Sequence, residues 1–150
     1  MTPTTERPAR SGRRFSVLLV EDEPVDRVLM RSAFEKFAPQ VELSEVTNAD
    51  DARAQLEGDA ARDLVLLDLK LPRASGLEIL EWIRKNPALK ALPVIVLTTS
   101  QHSADLERAQ ELGANSYLVK RVDIGQLRDI IRRIGDYAAL ISGAGFPTVA

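Results

Sequence analysis

From Phe15 onward, short apolar runs alternate strictly with amphipathic stretches, and few folds can accommodate that rhythm. Phe15 to Val20 is short, continuous and rich in valine and leucine, the pattern of a buried strand. Pro24 suits the first turn of a helix. Val25, Leu29, Ala33 and Phe37 follow at spacing four, which predicts an apolar helix face through about Ala38. Pro39 stops it. Val41 to Val46 alternates apolar and polar residues, as a half-exposed edge strand does. Asn48 or Asp50 suits the cap of a helix to about Glu57, closed by Gly58. Asp63 to Leu67 reads as the third and most buried strand. Ser75 suits the cap of a helix carrying Leu77, Leu80, Trp82 and Ile83, bounded by Pro87. Pro93 opens a strand over 94–97. Ser100 or Ser103 suits the cap of a helix to about Leu112, closed by Gly113. Ser116 to Val119 is the last strand, and Ile124, Leu127, Ile130, Ile131 and Ile134 mark the last helix.

Five strands, each followed by a helix, predict a parallel sheet with right-handed crossovers and helices on both faces. Five units do not close an eight-stranded barrel. The expected fold is therefore α/β, a doubly wound (βα)5 sheet of the flavodoxin-like type with order 2-1-3-4-5 and a switch point between strands 1 and 3.

Composition narrows the function. The 150 residues suit one domain, and 45% hydrophobic with 28% charged residues is an ordinary globular balance. A net charge of −2 gives no whole-protein case for nucleic acid or membrane binding. No apolar run approaches the roughly 18–20 residues that span a bilayer, and the N-terminus lacks a secretory h-region. The absence of cysteine excludes disulfides and thiolate metal sites and fits a cytoplasmic location. Residues 1–14 carry Arg7, Arg10, Arg13 and Arg14 among Thr, Pro and Gly, and read as a disordered basic tail. Without aromatics, these arginines make a weak nucleic-acid arm.

The strand ends carry the chemistry. Strand 1 ends in Glu21-Asp22, strand 3 in Asp68, strand 4 in Thr98-Thr99 and strand 5 in Lys120. In a parallel sheet these ends share one edge, and the switch point sets Glu21, Asp22 and Asp68 side by side. Three carboxylates in one crevice repel one another unless neutralised, and a hard divalent cation, Mg2+ before Ca2+, suits such a donor set. Lys120 offers a point charge for a carboxylate at rest and for a phosphoryl group after transfer. Thr98 offers a hydroxyl. Asp68 reads as a nucleophile that accepts a phosphoryl group as an acyl phosphate, while its neighbours position that group and balance its charge. Taken singly, Asp22 and Asp68 also read as caps, Thr98 as an ordinary strand-end hydroxyl and Lys120 as a solvated surface lysine. Those readings fail jointly, because four accidents would have to share one sheet edge.

The segments Val17-Leu18-Leu19-Val20-Glu21-Asp22-Glu23, Asp68-x3-Pro72-x3-Gly76, Val94-Ile95-Val96-Leu97-Thr98 and Gly113-Ala114-Asn115-Ser116-Tyr117-Leu118-Val119-Lys120 resemble the receiver domain of two-component response regulators over about residues 15–134. The resemblance implies that a phosphohistidine of a sensor histidine kinase phosphorylates Asp68. It implies Mg2+ on Asp22, Asp68 and the backbone carbonyl of Lys70, with Glu21 acting through water. It gives Thr98 and Lys120 contacts to the phosphoryl group, and makes Thr98 and Tyr117 the switch. Residues 71–73, 97–100 and 113–117 resemble most the stand-alone regulators of bacterial phytochrome kinases. The family's proline after the lysine, in a cis bond, is replaced here by Arg121. A cis bond without proline costs about 3–4 kcal/mol, so a trans Lys120–Arg121 bond and a rearranged loop are expected.

The pattern ends near Ile134, and residues 135–150 are too few for a DNA-binding or enzymatic output domain. Output through protein contact or phosphorelay is expected, without DNA or membrane, and with a homodimer through the fourth helix, fifth strand and fifth helix. Residues 137–141 are expected to extend the last helix or to cover that face. An aspartate-nucleophile phosphatase or hydrolase on a similar sheet is the alternative. It commonly places an acid two residues after the nucleophile, where this chain has Lys70. A nucleotide-binding domain lacks its glycine motif. His102 alone makes no metal cluster, and Trp82 reads as helix core.

Overall fold

The structure is a computed structural model that describes residues 13–58, 61–99, 104–120 and 123–142. The elements run β1 (Ser16–Val20), α1 (Pro24–Phe37), β2 (Glu42–Val46), α2 (Ala49–Glu57), β3 (Leu64–Asp68), β4 (Lys70–Leu71), β5 (Ala74–Ser75), α3 (Gly76–Lys85), β6 (Val94–Thr98), α4 (Ala104–Glu111), β7 (Ser116–Val119) and α5 (Ile124–Ser142). Five parallel strands form one sheet in the order β2-β1-β3-β6-β7, the expected 2-1-3-4-5 once the small β4–β5 hairpin is set aside. That hairpin was not anticipated. It turns at Pro72-Arg73, with Arg73 in the left-handed region at φ 64°.

Strand periodicity divides the core in two. Val17, Leu19, Leu66, Leu97 and Leu118 face one side with Met30 and Phe34 of α1 and Leu127 and Ile131 of α5. Leu18, Val20, Leu67, Val94 and Val96 face the other, with Leu56 of α2, Ile79, Leu80 and Ile83 of α3 and Leu106 of α4. Strands buried on both faces explain why β1, β3 and β6 are nearly continuous apolar runs.

Local signals set the helix ends. Asn48 Oδ1 accepts from the Asp51 amide at 2.8 Å and caps α2. Ser75 and Glu78 form a reciprocal capping box on α3. At the end of α4 the Ala114 amide returns to the Ala109 carbonyl at 3.0 Å, and Gly113 supplies the positive φ of 96° which that closure needs.

Two expectations are corrected. The expected face of α1 holds only in its second half: Val25 is 60% and Leu29 43% exposed, whereas Ala33 is buried and Phe37 packs against the core, with Asp26, Met30 and Phe34 buried beside them. Within the basic tail, Arg13 and Arg14 are anchored. Arg13 pairs through both nitrogens with Asp63 at 3.2 Å, and Arg14 donates to the Pro39 and Val41 carbonyls at 2.8 and 3.0 Å. Residues 1–12 lie outside the described residues. Trp82 is half-buried at the margin of the second core.

α5 continues to Ser142. Tyr137 meets Phe15 edge-on at 5.9 Å, and Gln40 donates to the Gly135 carbonyl at 3.1 Å, so this helix is held against the start of β1 and the α1–β2 turn. No helix among the described residues is long and apolar enough to cross a membrane.

Candidate functional site

The sheet register assembles the site. Val20 lies beside Leu67, so the next residues, Glu21 and Asp68, meet at the C-terminal edge. Asp68 pairs with Leu97, which sets Thr98 one step beyond it, and Thr98 pairs with Val119, which brings Lys120 across. The Lys120 amide donates to the Thr98 carbonyl at 2.7 Å and fixes that approach. Asp68 ends β3 rather than opening the turn after it, so the sheet ladder holds its backbone. Glu21, Asp68 and Thr98 are all buried.

Lys120 Nζ stands 3.2 Å from Asp68 Oδ2, 3.0 Å from Glu21 Oε1 and 3.0 Å from Asp26 Oδ2. Asp26 was not anticipated from the sequence. An acidic residue in the first turn of a helix reads as a dipole partner, and only the helix's rotation shows that it points inward. Glu21 Oε2 accepts from Lys120 and from the Glu23 amide at 3.2 and 3.1 Å, whereas its buried Oε1 has no hydrogen-bond donor despite its closeness to the ammonium. Asp68 Oδ1 accepts from the Lys70 amide at 3.0 Å. Burial first, then the hydrogen bond with Asp68, pushes the Glu21 carboxyl up to about 7. Burial works against the Lys120 ammonium, but hydrogen bonds to Asp26 and Glu21 and the charge of Asp68 outweigh it and raise its pKa.

A cleft of about 180 Å3 opens on Asp68, with Lys70, Thr98, Thr99 and Lys120 among its walls. Asp22 is exposed at the end of β1, and the Lys70 side chain is exposed. Tyr117 lies on β7, is 39% exposed and lines a hollow together with Leu106 and Gln110 of α4. Ser100, His102, Ser103 and Arg121 lie outside the described residues, and with them the Lys120–Arg121 bond expected to be trans.

The donor set fits a hard divalent cation. Three buried carboxyl groups share one ammonium, which leaves the cluster with net negative charge, and one buried oxygen of Glu21 lacks a donor. Among the described residues no three acidic or histidine side chains form a ready cage. Lys120 Nζ lies within 3.2 Å of all three acids.

The response regulator receiver domain model matches residues 17–132. The chain belongs to the response regulator receiver family. Among curated relatives, the probable methanogenesis regulatory protein FilR2 of Methanothrix harundinacea is 38% identical over 82% of this chain and 83% of its own length. Response regulator Rcp1 of Synechocystis is 35% identical over 81% of this chain and 86% of its own. Among solved structures, the phosphorylated cyanobacterial phytochrome response regulator RcpA superimposes with a TM-score of 0.72 at 34% identity, covering 84% of this chain and 94% of that one. Rcp1 has also been solved in an Mn2+-bound form, with a TM-score of 0.71 at 33% identity, covering 89% of this chain and 99% of that one. The receiver is thus homologous to phytochrome-associated regulators, and family members bind a divalent metal. The match gives no support to the phosphatase alternative.

Proposed function

We propose that this receiver is the phosphoacceptor of a two-component relay, with Asp68 as the acceptor and a sensor histidine kinase as the donor. An Asp68 oxygen forms the new O–P bond as the N–P bond of the kinase phosphohistidine breaks, and the imidazole leaves. The observation that carries this reading is the Asp68 carboxylate, held at the sheet edge on an open cleft and 3.2 Å from the Lys120 ammonium. Lys120 and the Thr98 hydroxyl balance and orient the arriving oxygens.

Asp22, Asp68 and the Lys70 carbonyl, with Glu21 through water, would hold Mg2+. Bound there, the cation supplies charge neutralisation for the phosphoryl oxygens. Movement of Thr98 toward the phosphoryl group, with Tyr117 turning from its exposed position, carries the state to the α4–β7–α5 face. There the chain pairs with a second copy or a partner in the cytoplasm, and needs no DNA. Similarity to RcpA and Rcp1 supports a phytochrome-type kinase as donor. The signalling unit spans 15–134, with α5 continuing beyond it.

Incubation with Mg2+ and acetyl phosphate tests the reading by intact mass. One phosphoryl adduct is expected on the wild type and none on Asp68→Asn. Turnover of the donor without an adduct would favour a hydrolase.

A further inference from the structure

Asp26 is a buried acid that the roles above do not use. It is 5% exposed, sits in the first turn of α1, and faces inward while Val25 and Val28 beside it are 60% and 51% exposed. Burying a carboxylate costs several kcal/mol unless it is paired. The rotation that buries Met30, Ala33 and Phe34 also carries Asp26 inward, so the acid needs a partner there. The acid is placed for Lys120, 3.0 Å from its ammonium.

Lys120 lies between two clefts. One, of about 180 Å3, contains Asp68, Thr98 and Thr99. The other, of about 200 Å3 between α1 and α5, contains Asp26, Met30 and Leu127. Asp68 borders only the first cleft and Asp26 only the second, while Lys120 borders both. The ammonium is thus shared between an acceptor on the phosphoacceptor side and another on the far side.

We infer that Asp26 is a positioning residue that holds the Lys120 ammonium in the resting state and competes with the phosphorylated Asp68 for it. This rests on the phosphoacceptor reading of Asp68. Phosphorylation replaces the single negative charge of the Asp68 carboxylate with an acyl phosphate of about −1.5 to −2, so the near side gains up to about one negative charge while Asp26 is unchanged. The ammonium therefore shifts toward the phosphoryl oxygens and its contact with Asp26 weakens. Asp26 stabilises the resting state more than the phosphorylated one, and so sets how strongly the site favours the transferred group.

Beryllofluoride, a phosphoryl mimic, provides the test at saturating Mg2+. Asp26→Asn keeps the shape and removes the charge. It is expected to bind beryllofluoride on the order of tenfold more tightly, the effect of a charge-assisted hydrogen bond missing from only one of two states. Asp26→Glu is expected to stay near wild type. In the wild type, the Asp26 carboxyl 13C resonance is expected to move on beryllofluoride addition, a readout that needs no variant to fold. Unchanged or weaker binding by Asp26→Asn, or an Asp26 resonance that does not move, overturns the inference. If the wild type binds no beryllofluoride, or Asp68→Asn binds it equally well, the phosphoacceptor reading itself has failed.

Discussion

At the scale of single residues, Gly76 does the least visible work. It opens α3 directly beneath Asp68. A Cβ there would overlap the Asp68 carbonyl oxygen and lie 2.8 Å from Leu69 Cα, both backbone atoms with no freedom to move aside. Its amide also donates to the Leu69 carbonyl at 2.9 Å. Gly76→Ala is expected to cost at least about 2 kcal/mol in urea denaturation, as overpacking against backbone does. It is also expected to slow phosphoryl labelling, because the displaced backbone is that of Asp68. The sequence marks Gly76 only as the end of the Asp68-x3-Pro72-x3-Gly76 motif. The reason glycine is needed appears when β3 and the helix start are brought together.

At the scale of elements, Arg84 ties three segments into one unit. Its guanidinium donates to the Gly113 carbonyl at 3.0 and 2.8 Å, to Lys90 and Leu92 carbonyls at 3.2 and 2.7 Å, and to Asn115 Oδ1 at 2.9 Å. Asn115 Oδ1 also accepts from the Val94 amide at 2.8 Å. The end of α4 and the starts of β6 and β7 are thereby fixed to α3, and the register that sets Thr98 beside Val119 begins at this junction. Arg84→Leu is expected to lower unfolding stability by about 2 kcal/mol, since it strands several carbonyls. Arg84→Lys should recover less than half, because an ammonium lacks the planar fork. The elements themselves were legible in the chain. Strand periodicity, the Ser75 and Asn48 caps and the closing Gly113 all acted where their chemistry predicts. The two-residue strands β4 and β5 were not legible, because they are too short to show a period. Nor was the rotation of α1. The spacing of Val25, Leu29, Ala33 and Phe37 placed Ala33 and Phe37 at the core but not Val25 and Leu29, and it gave no sign that Asp26 turns inward to Lys120.

At the scale of the whole molecule, the acid cluster couples stability to pH and, in the proposed reading, to metal. Burial raises the Glu21 carboxyl to about 7 in the folded chain, against an ordinary value of 4.5 when unfolded. Between those values the folded state holds a proton that the unfolded state has released. Stability from this group is complete below about pH 4.5 and is lost as pH rises through 7. For the metal-free protein the loss is on the order of 3 kcal/mol. Thermal melts in EDTA should therefore fall from pH 5 to pH 8, and Glu21→Gln should flatten that slope. Added Mg2+ should stabilise more at pH 8 than at pH 5, because protons and cations compete for the same oxygens. A melting temperature that rises with pH in EDTA through this window would contradict the assignment.

The sequence by itself determined the alternation of elements, hence the sheet order, hence which residues stand at the C-terminal edge. These features follow from local periodicity and from the handedness of crossovers, both written along the chain. Glu21, Asp68, Thr98 and Lys120 could be brought together on that basis alone. Only the tertiary structure decided that Lys120 has a third carboxylate, that Glu21 keeps a buried oxygen without a donor, and that Gly76 rests against the backbone of Asp68. Each depends on how one element is rotated or seated against another. The pairing and packing of whole faces fix that rotation, and no single segment carries the information.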